Sequence, residues 1–237
     1  MKLSEEEKEI ILRNTDEENR ESIIAYNETM SNVKVNDTPQ YMLKNFIAFE
    51  GIDGSGKSSI IEALKNAPFA DKLSFSCEPQ RKDFGKVVRD YLSDHKMDNL
   101  AIVMAIAADR ENHLNDVKAE IAKGKLCITD RYLMSSYAYQ HLDAVKVNQW
   151  FPRAEYTFYF DLPVDVALER SKPREVKKED KGLAELFENR KALESVKEYY
   201  DDLIQIGLFN TIYINANRPF EEVLFDVTQH LMRILHI

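Results

Sequence analysis

A glycine-rich stretch at residues 51–58 has the residue types and spacing suited to holding phosphate groups. It contains three of the seven glycines in a chain of 237 residues. Glycines permit a tight turn whose backbone N–H groups surround phosphate oxygens, and a helix that follows adds its positive N-terminal dipole. In this pattern Lys57 reaches the β- and γ-phosphates and Ser58 offers its hydroxyl to Mg²⁺. The alternative is a glycine turn with a surface lysine. The favoured prediction is an ATP site made of Gly51, Ile52, Asp53, Gly54, Ser55, Gly56, Lys57, Ser58 and Ser59.

Two Asp-Arg pairs farther along the chain offer charged groups for the same chemistry. Asp130 and Arg131 end the predicted strand Leu126–Asp130. Strand ends in α/β sheets face the ligand crevice, so Asp130 is predicted to bind Mg²⁺ or its water and Arg131 to hold phosphate. A strand-end salt bridge is the alternative. Asp109 and Arg110 interrupt an apolar helical stretch, where they either serve the site or turn that helix toward solvent.

The elements that must position these residues alternate between short apolar strands and helical stretches. This alternation predicts an α/β protein with the P-loop NTPase fold, in which a parallel five-stranded sheet carries helices on both faces. Aromatic residues inside the periodic segments, such as Tyr199 and Tyr200, are predicted to pack the core. Strands are predicted at 46–50, 73–77, 126–130, 156–162 and 211–214, and helices at 57–66, 83–93, 98–123, 164–171, 185–206 and 220–235.

Charge divides the chain into two parts. Residues 1–30 hold nine acidic and four basic residues, and therefore −5 of the net charge of −9. Residues 31–39 have the Asn, Asp, Thr and Pro content of a linker. We therefore predict an acidic N-terminal extension and linker over residues 1–40 and a catalytic domain over residues 41–237.

Composition excludes several classes of function. A net charge of −9 argues against binding nucleic acid through bulk charge. The longest apolar run, Ala101–Ala108, is too short to span a membrane, and the first ten residues do not have the pattern of a signal peptide. Cys77 and Cys127 have neither metal-binding nor redox spacing, so we expect a cytoplasmic protein.

Five strings of residues resemble the thymidylate kinases, a family of P-loop nucleoside monophosphate kinases. They occur in the family's order and cover the chain from about residue 45 to the C-terminus: FIAFEGIDGSGKSS, CEPQRKDFGKVVRDYL, AIAADRENH, DRYLMSSYAYQ and FPRAEYTFYFDLP. The resemblance implies Mg²⁺-dependent transfer of the γ-phosphoryl group of ATP to dTMP, which gives dTDP. It also implies a homodimer formed through helices, and helix 98–123 is the candidate to pair across the two-fold axis.

The resemblance also implies roles for single residues. Asp53 would lie beside the sugar and phosphate of the acceptor and would contribute to the metal site with Ser58 and Asp130. Arginines would hold the acceptor and the transferring phosphoryl group, and the remaining residues would line or shape the base and sugar pocket. The implied acceptor residues are Asp53, Glu78, Pro79, Arg89, Ile106, Arg110, Arg131, Ser136, Tyr139 and Gln140.

The sequence departs from the family pattern at the acceptor end. Cys77 replaces an arginine, Gln80-Arg81 replaces Gly-Gly, and Ile106 replaces an aromatic residue that stacks on thymine in the family. Ile106 keeps open a kinase of another pyrimidine nucleotide or of a deoxynucleoside. Cys77 and the lid sequence keep open a nucleotide-binding regulatory protein without turnover.

A basic lid is expected after the predicted helix 164–171. The phosphate loop has no basic residue at its variable positions, so the resemblance is to members that carry the arginine in a mobile lid. Arg170 and Arg174 are the candidates, and a solvated charged loop is the alternative. The predicted catalytic set is therefore Asp53, Lys57, Arg131, Arg170 and Arg174.

Overall fold

The computed structural model describes residues 41–93, 98–171 and 190–237. Its strands are β1 (Met42–Glu50), β2 (Leu73–Cys77), β3 (Leu126–Asp130), β4 (Arg153–Asp161) and β5 (Thr211–Asn215). They form a five-stranded parallel sheet with the order β2-β3-β1-β4-β5, which confirms the predicted α/β architecture.

The described helices surround this sheet. Helix α3 (Asn99–Ala122) packs on α4 (Leu133–Asn148), and α4 packs on α6 (Arg190–Ile206). Helix α7 (Phe220–Leu235) packs on α1 (Lys57–Leu64). The Asp98 carboxylate caps the long helix α3 by accepting from the Leu100 N–H at 2.9 Å. The helices are α1 (Lys57–Leu64), α2 (Asp83–Ser93), α3 (Asn99–Ala122), α4 (Leu133–Asn148), α5 (Val164–Ser171), α6 (Arg190–Ile206) and α7 (Phe220–Leu235).

The centre of the sheet forms the core. The second half of β1 is buried on both faces, which explains its continuous run of apolar residues. Phe49 of β1 stacks on Phe158 of β4 with ring centroids 5.3 Å apart. The register pairs Phe49 with Asp130 and Asp130 with Cys77, so β1, β3 and β2 end at one edge of the sheet. The phosphate loop, Asp130 and Glu78 therefore emerge side by side.

Strand β4 begins at Arg153 rather than at the predicted residue 156, and two larger differences from the sequence expectations concern β1 and α4. Strand β1 begins at Met42 rather than at the predicted residue 46, because the segment before Asn45 also pairs with β4. Asn45 adopts a left-handed conformation (φ 59°), and the pairing with β4 continues on both sides of it. Helix α4 was not predicted, because nearly all of its first two turns are buried and no polar face reveals its period. It kinks at His141, whose φ is 53°.

Some expectations fall outside the described residues. These are the extension at residues 1–40, the lid with Arg174 and the predicted start of α6 at residues 185–189. Among the helices of the described ranges, none has the length and apolar character needed to cross a bilayer.

Candidate functional site

A cavity of about 810 Å³ lies at the carboxyl edge of the sheet. Segments following each of the five strands line it. The cavity therefore contains both the phosphate loop and the region expected to hold an acceptor. Of the predicted residues, it is lined by Asp53, Gly54, Ser55, Gly56, Lys57, Ser58, Ser59, Glu78, Pro79, Arg89, Ile106, Arg110, Asp130, Arg131, Ser136, Tyr139, Gln140 and Arg170.

The phosphate loop has a backbone that only glycine adopts easily. Gly54 has a φ of 80°, and a Cβ atom there would lie 2.3 Å from the backbone oxygen of Ala167. Gly51 and Ile52 are not part of the cavity wall, but their carbonyl oxygens accept from Lys57 Nζ at 2.8 and 3.0 Å. These contacts hold the lysine ammonium inside the turn, close to where phosphates would bind.

The surroundings of Lys57 change its acidity. Burial, followed by repulsion from the Arg131 guanidinium, lowers the pKa of Lys57 to about 8. Bound phosphates would oppose both effects and stabilise the charged ammonium. Binding of ATP should therefore be coupled to protonation of this residue.

We expect the affinity for ATP to fall as the pH rises above 8. The free protein loses the Lys57 proton near pH 8, while the complex requires it, so the dissociation constant should rise about fivefold between pH 8 and pH 9 and more steeply above pH 9. Calorimetric titration of Mg²⁺-free ATP between pH 7.5 and 9.5 measures this, because the γ-phosphate stays ionised throughout. A constant affinity over that range would contradict a role for Lys57 in binding the phosphates.

Oxygen ligands for a hard cation lie beside the loop. Ser58 Oγ donates to Asp130 Oδ2 at 2.6 Å, which confirms that the loop and the end of β3 meet. Mg²⁺ is usually bound through one or two carboxylates together with substrate phosphates. Within the residues that the structure describes, no group of three or more His, Cys, Asp or Glu side chains forms a separate metal centre. The Ser58–Asp130 pair therefore fits a metal held jointly with a nucleotide.

Arg131 lines the cavity, where it contacts one acidic group and one aromatic ring. Its Nη2 donates to Asp53 Oδ1 at 2.7 Å, so the carboxylate predicted to contact metal and acceptor is paired with this arginine. The guanidinium carbon lies 5.0 Å from the centroid of the Tyr139 ring. Arg131 is thus held between the phosphate loop and the predicted acceptor pocket.

Arg110 and Glu78 form a buried ion pair at the acceptor end. Arg110 Nε donates to Glu78 Oε2 at 2.8 Å, and Arg110 Nη2 donates to Ser136 Oγ at 2.8 Å. Burial is the largest influence on Glu78 and would raise its pKa, but Arg110 and His113 together outweigh it and lower the pKa. Glu78 therefore stays ionised and fixes the arginine. The nearly complete burial of both side chains excludes a helix that simply turns to solvent here.

Arg89 approaches the same pocket from α2. Its Nε donates to the Pro79 carbonyl oxygen at 2.8 Å, and its Nη2 lies 3.5 Å from Cys77 Sγ. Arg81 also lines the cavity. Both arginines bring positive charge to the segment in which an expected arginine is replaced by Cys77.

The residues expected to hold the base include both aliphatic and polar side chains. Ile106 and Leu92 line the cavity and are buried together. Opposite in character, Gln140 lines it with a buried Oε1 that has no hydrogen-bond partner within the described part of the chain. A buried acceptor of this kind suits a ligand N–H group.

The donor end includes residues that the sequence reasoning missed. Arg170 was predicted, and its Nη1 donates to the Ala216 carbonyl oxygen at 2.9 Å. Arg218, Phe220 and Val223 line the cavity beside it, after β5. The signal was available, because all parallel strands end at this edge and residues after the last one face the same crevice. Also missed were Ile60, Cys77, Leu92, Tyr132, Ser135, Ser171, Leu193 and Ala216.

The fold and this cavity define a P-loop nucleotide-binding protein whose site has room and positive charge beyond the phosphate loop. The chain belongs to the thymidylate kinase family, because the model of the family described as "Thymidylate kinase" matches residues 49–227. This confirms the resemblance drawn from the motifs.

Similar proteins extend over most of the chain. A putative thymidylate kinase of Treponema pallidum is 32% identical over 205 residues, which cover 80% of this chain and 96% of that protein. A probable thymidylate kinase of Methanococcus aeolicus is 29% identical, with coverage of 80% and 97%. A thymidylate kinase of Ureaplasma parvum is 31% identical, with coverage of 80% and 90%.

Proposed function

We propose that this protein transfers the γ-phosphoryl group of ATP to dTMP and releases dTDP and ADP. The observation that carries the proposal is the cavity in which the phosphate loop meets Arg89, Arg110 and Arg131. Membership of the thymidylate kinase family supports the same reaction. A triphosphate donor and a monophosphate acceptor would meet end to end in this cavity.

In this proposal, the residues at the donor end and at the acceptor end of the cavity have separate roles. Loop N–H groups and Lys57 hold the β- and γ-phosphates of ATP, with Arg170 at the donor end. Arg110 and Arg89 hold the acceptor, and the Gln140 Oε1 atom accepts from its base. Arg131 lies between the two ends, where it would meet the transferring group. These groups all line the same cavity, which supports the assignments.

The chemistry requires positioning and positive charge more than proton transfer. An anionic oxygen of the acceptor phosphate forms a bond to the γ-phosphorus, while the bond from that phosphorus to the bridging oxygen breaks and ADP leaves. The attacking oxygen is already ionised, so no general base is required. Lys57 and Arg131 are placed to stabilise the charge that spreads over the transferring group. Mg²⁺ held by Ser58, Asp130 and the phosphates, with Asp53 nearby, would neutralise further charge.

An acceptor panel with Mg²⁺ and ATP tests the proposal. ADP release is measured with dTMP, dUMP, dCMP and thymidine, and dTMP should give the highest kcat/KM. Ile106 and Leu92 give the base an aliphatic wall in place of an aromatic ring, so selection of a different base is the main alternative. A preference for another acceptor would identify a related kinase of that kind. Binding of ATP without ADP release in the presence of every acceptor would indicate a regulatory protein instead.

We also propose that two copies pair through α2 and α3 in the cytoplasm. The supporting observation is a set of exposed apolar side chains on these adjacent helices: Phe84, Val87, Tyr91, Leu100 and Met104. Burying such side chains against a second copy would remove apolar surface from water. The two free thiols fit a reducing compartment. A monomer mass in sedimentation at micromolar concentration would contradict the homodimer.

A further inference from the structure

Glu50, the last residue of β1, is a fully buried carboxylate that the phosphoryl transfer does not use directly. It accepts from the backbone N–H groups of Tyr132 at 2.8 Å and Ser135 at 3.1 Å. Its Oε2 also accepts from the hydroxyls of Ser135 and Tyr200. Burial raises the pKa of Glu50, and the surrounding donors oppose that rise. Burying an ionised carboxylate is energetically unfavourable, so we expect it to have a charged or hydrogen-bonded partner and a role.

The same two hydroxyls face Arg131 on their other side. Arg131 Nη1 donates to Ser135 Oγ at 3.1 Å and to the Tyr200 hydroxyl at 3.4 Å, while the two hydroxyl oxygens lie 2.8 Å apart. A chain of hydrogen bonds thus runs from the guanidinium through two hydroxyls to the Glu50 carboxylate. The positive and negative charges at its ends orient both hydroxyls.

The backbone of Arg131 also requires support. Its φ is 71°, which is unfavourable for a residue with a Cβ atom. The Arg131 N–H donates to the Phe49 carbonyl oxygen at 2.9 Å, and the Thr129 hydroxyl donates to the Arg131 carbonyl oxygen at 3.1 Å. Unusual backbone conformations at a ligand cavity persist where the surroundings hold them, and they aim a side chain.

We propose that Tyr200 is a positioning residue, which acts with Ser135 and Glu50 to hold the Arg131 guanidinium toward the transferring phosphoryl group. The inference rests on the proposed kinase function. Core packing accounts for the Tyr200 ring, which lies 5.3 Å from the Tyr159 ring. Packing does not account for a hydroxyl that contacts Arg131, Ser135 and Glu50 at once.

Two tyrosine-to-phenylalanine variants separate positioning from packing. Tyr200→Phe removes the hydroxyl next to Arg131, whereas Tyr159→Phe removes a hydroxyl on β4 that donates to Asp201 of α6 at 3.1 Å. Tyr200→Phe should lower kcat with dTMP by about 10- to 100-fold, since small misplacements of a charged group have effects of this size. Its dissociation constant for ATP should stay within twofold of wild type. Tyr159→Phe should keep both values within twofold.

Ser135→Ala is a second route to the same result, because it removes the other hydroxyl of the chain. It should reduce kcat with little change in ATP binding, so the proposal can be tested even if Tyr200→Phe does not fold. Equal losses of kcat in Tyr200→Phe and Tyr159→Phe would overturn the proposal, as would a fall in ATP affinity that parallels kcat. Wild-type turnover of dTMP tests the proposed function separately. If another acceptor is preferred, the variants are compared with that acceptor.

Discussion

Replacing Lys57 with alanine is expected to lower kcat by about 10³-fold while the protein remains folded. Removing one preorganised donor from a site of developing negative charge typically costs about 10²- to 10³-fold, and Lys57 is a full charge rather than a dipole. Stability should not fall, because the buried ammonium is itself unfavourable: its pKa is lowered to about 8. The melting temperature should therefore equal or exceed that of wild type.

Lys65→Ala is the matched control for this experiment. Lys65 follows the same helix, α1, but it is exposed and pairs with Glu62 on the surface. Its loss should leave kcat and KM unchanged. If Lys57→Ala retained wild-type activity in a folded protein, the phosphate-loop assignment and the kinase proposal that depends on it would both be wrong.

The strands show what could be predicted from sequence and why. β2 and β3 have the predicted bounds, since each is a short run followed directly by charged residues. The first half of β1 was missed because it is mostly exposed and carries Lys44 and Asn45, so no buried run marks it. Local pattern therefore reveals buried strands better than exposed pairing segments, whose hydrogen bonds depend on a distant partner such as β4.

The residues of the site also fall into those that sequence could predict and those that it could not. The motifs predicted which residues meet at the carboxyl edge, and Asp53 and Arg131, 78 positions apart, do form an ion pair. Sequence could place Tyr200 in the core, because it lies on the periodic apolar face of α6. It could not reveal the contact of its hydroxyl with Glu50, 150 positions away. Motifs identify the groups that touch ligands, whereas the residues that hold those groups depend on tertiary packing.

Replacing Arg110 with methionine is expected to destabilise the protein by about 3–5 kcal/mol, the usual cost of leaving a buried charge without its partner. Glu78 would remain, with its side chain 2% exposed and its larger counter-charge gone. Activity with dTMP should also fall, because Arg110 lines the acceptor end of the cavity. Urea denaturation at pH 7 measures the stability change. Arg190→Met, which breaks exposed ion pairs with Asp165 and Glu194, is the control and should leave the urea midpoint unchanged.

Adding Glu78→Gln to Arg110→Met tests the cause. If the cost arises from an uncompensated carboxylate, the double variant should be more stable than Arg110→Met alone, because the amide that replaces the carboxylate is uncharged.

Acidification should also reduce the stability cost of Arg110→Met, because it protonates the uncompensated carboxylate. In wild type the lowered pKa of Glu78 adds stability above its unfolded pKa, and this is lost as the pH falls through the folded pKa. In Arg110→Met, burial without the arginine raises the pKa of Glu78. The ionised carboxylate therefore destabilises the folded protein at neutral pH, and this destabilisation decreases as the carboxylate becomes protonated. The difference between the two proteins should therefore shrink toward pH 4, and a constant difference would mean that lost packing, not charge, sets the cost.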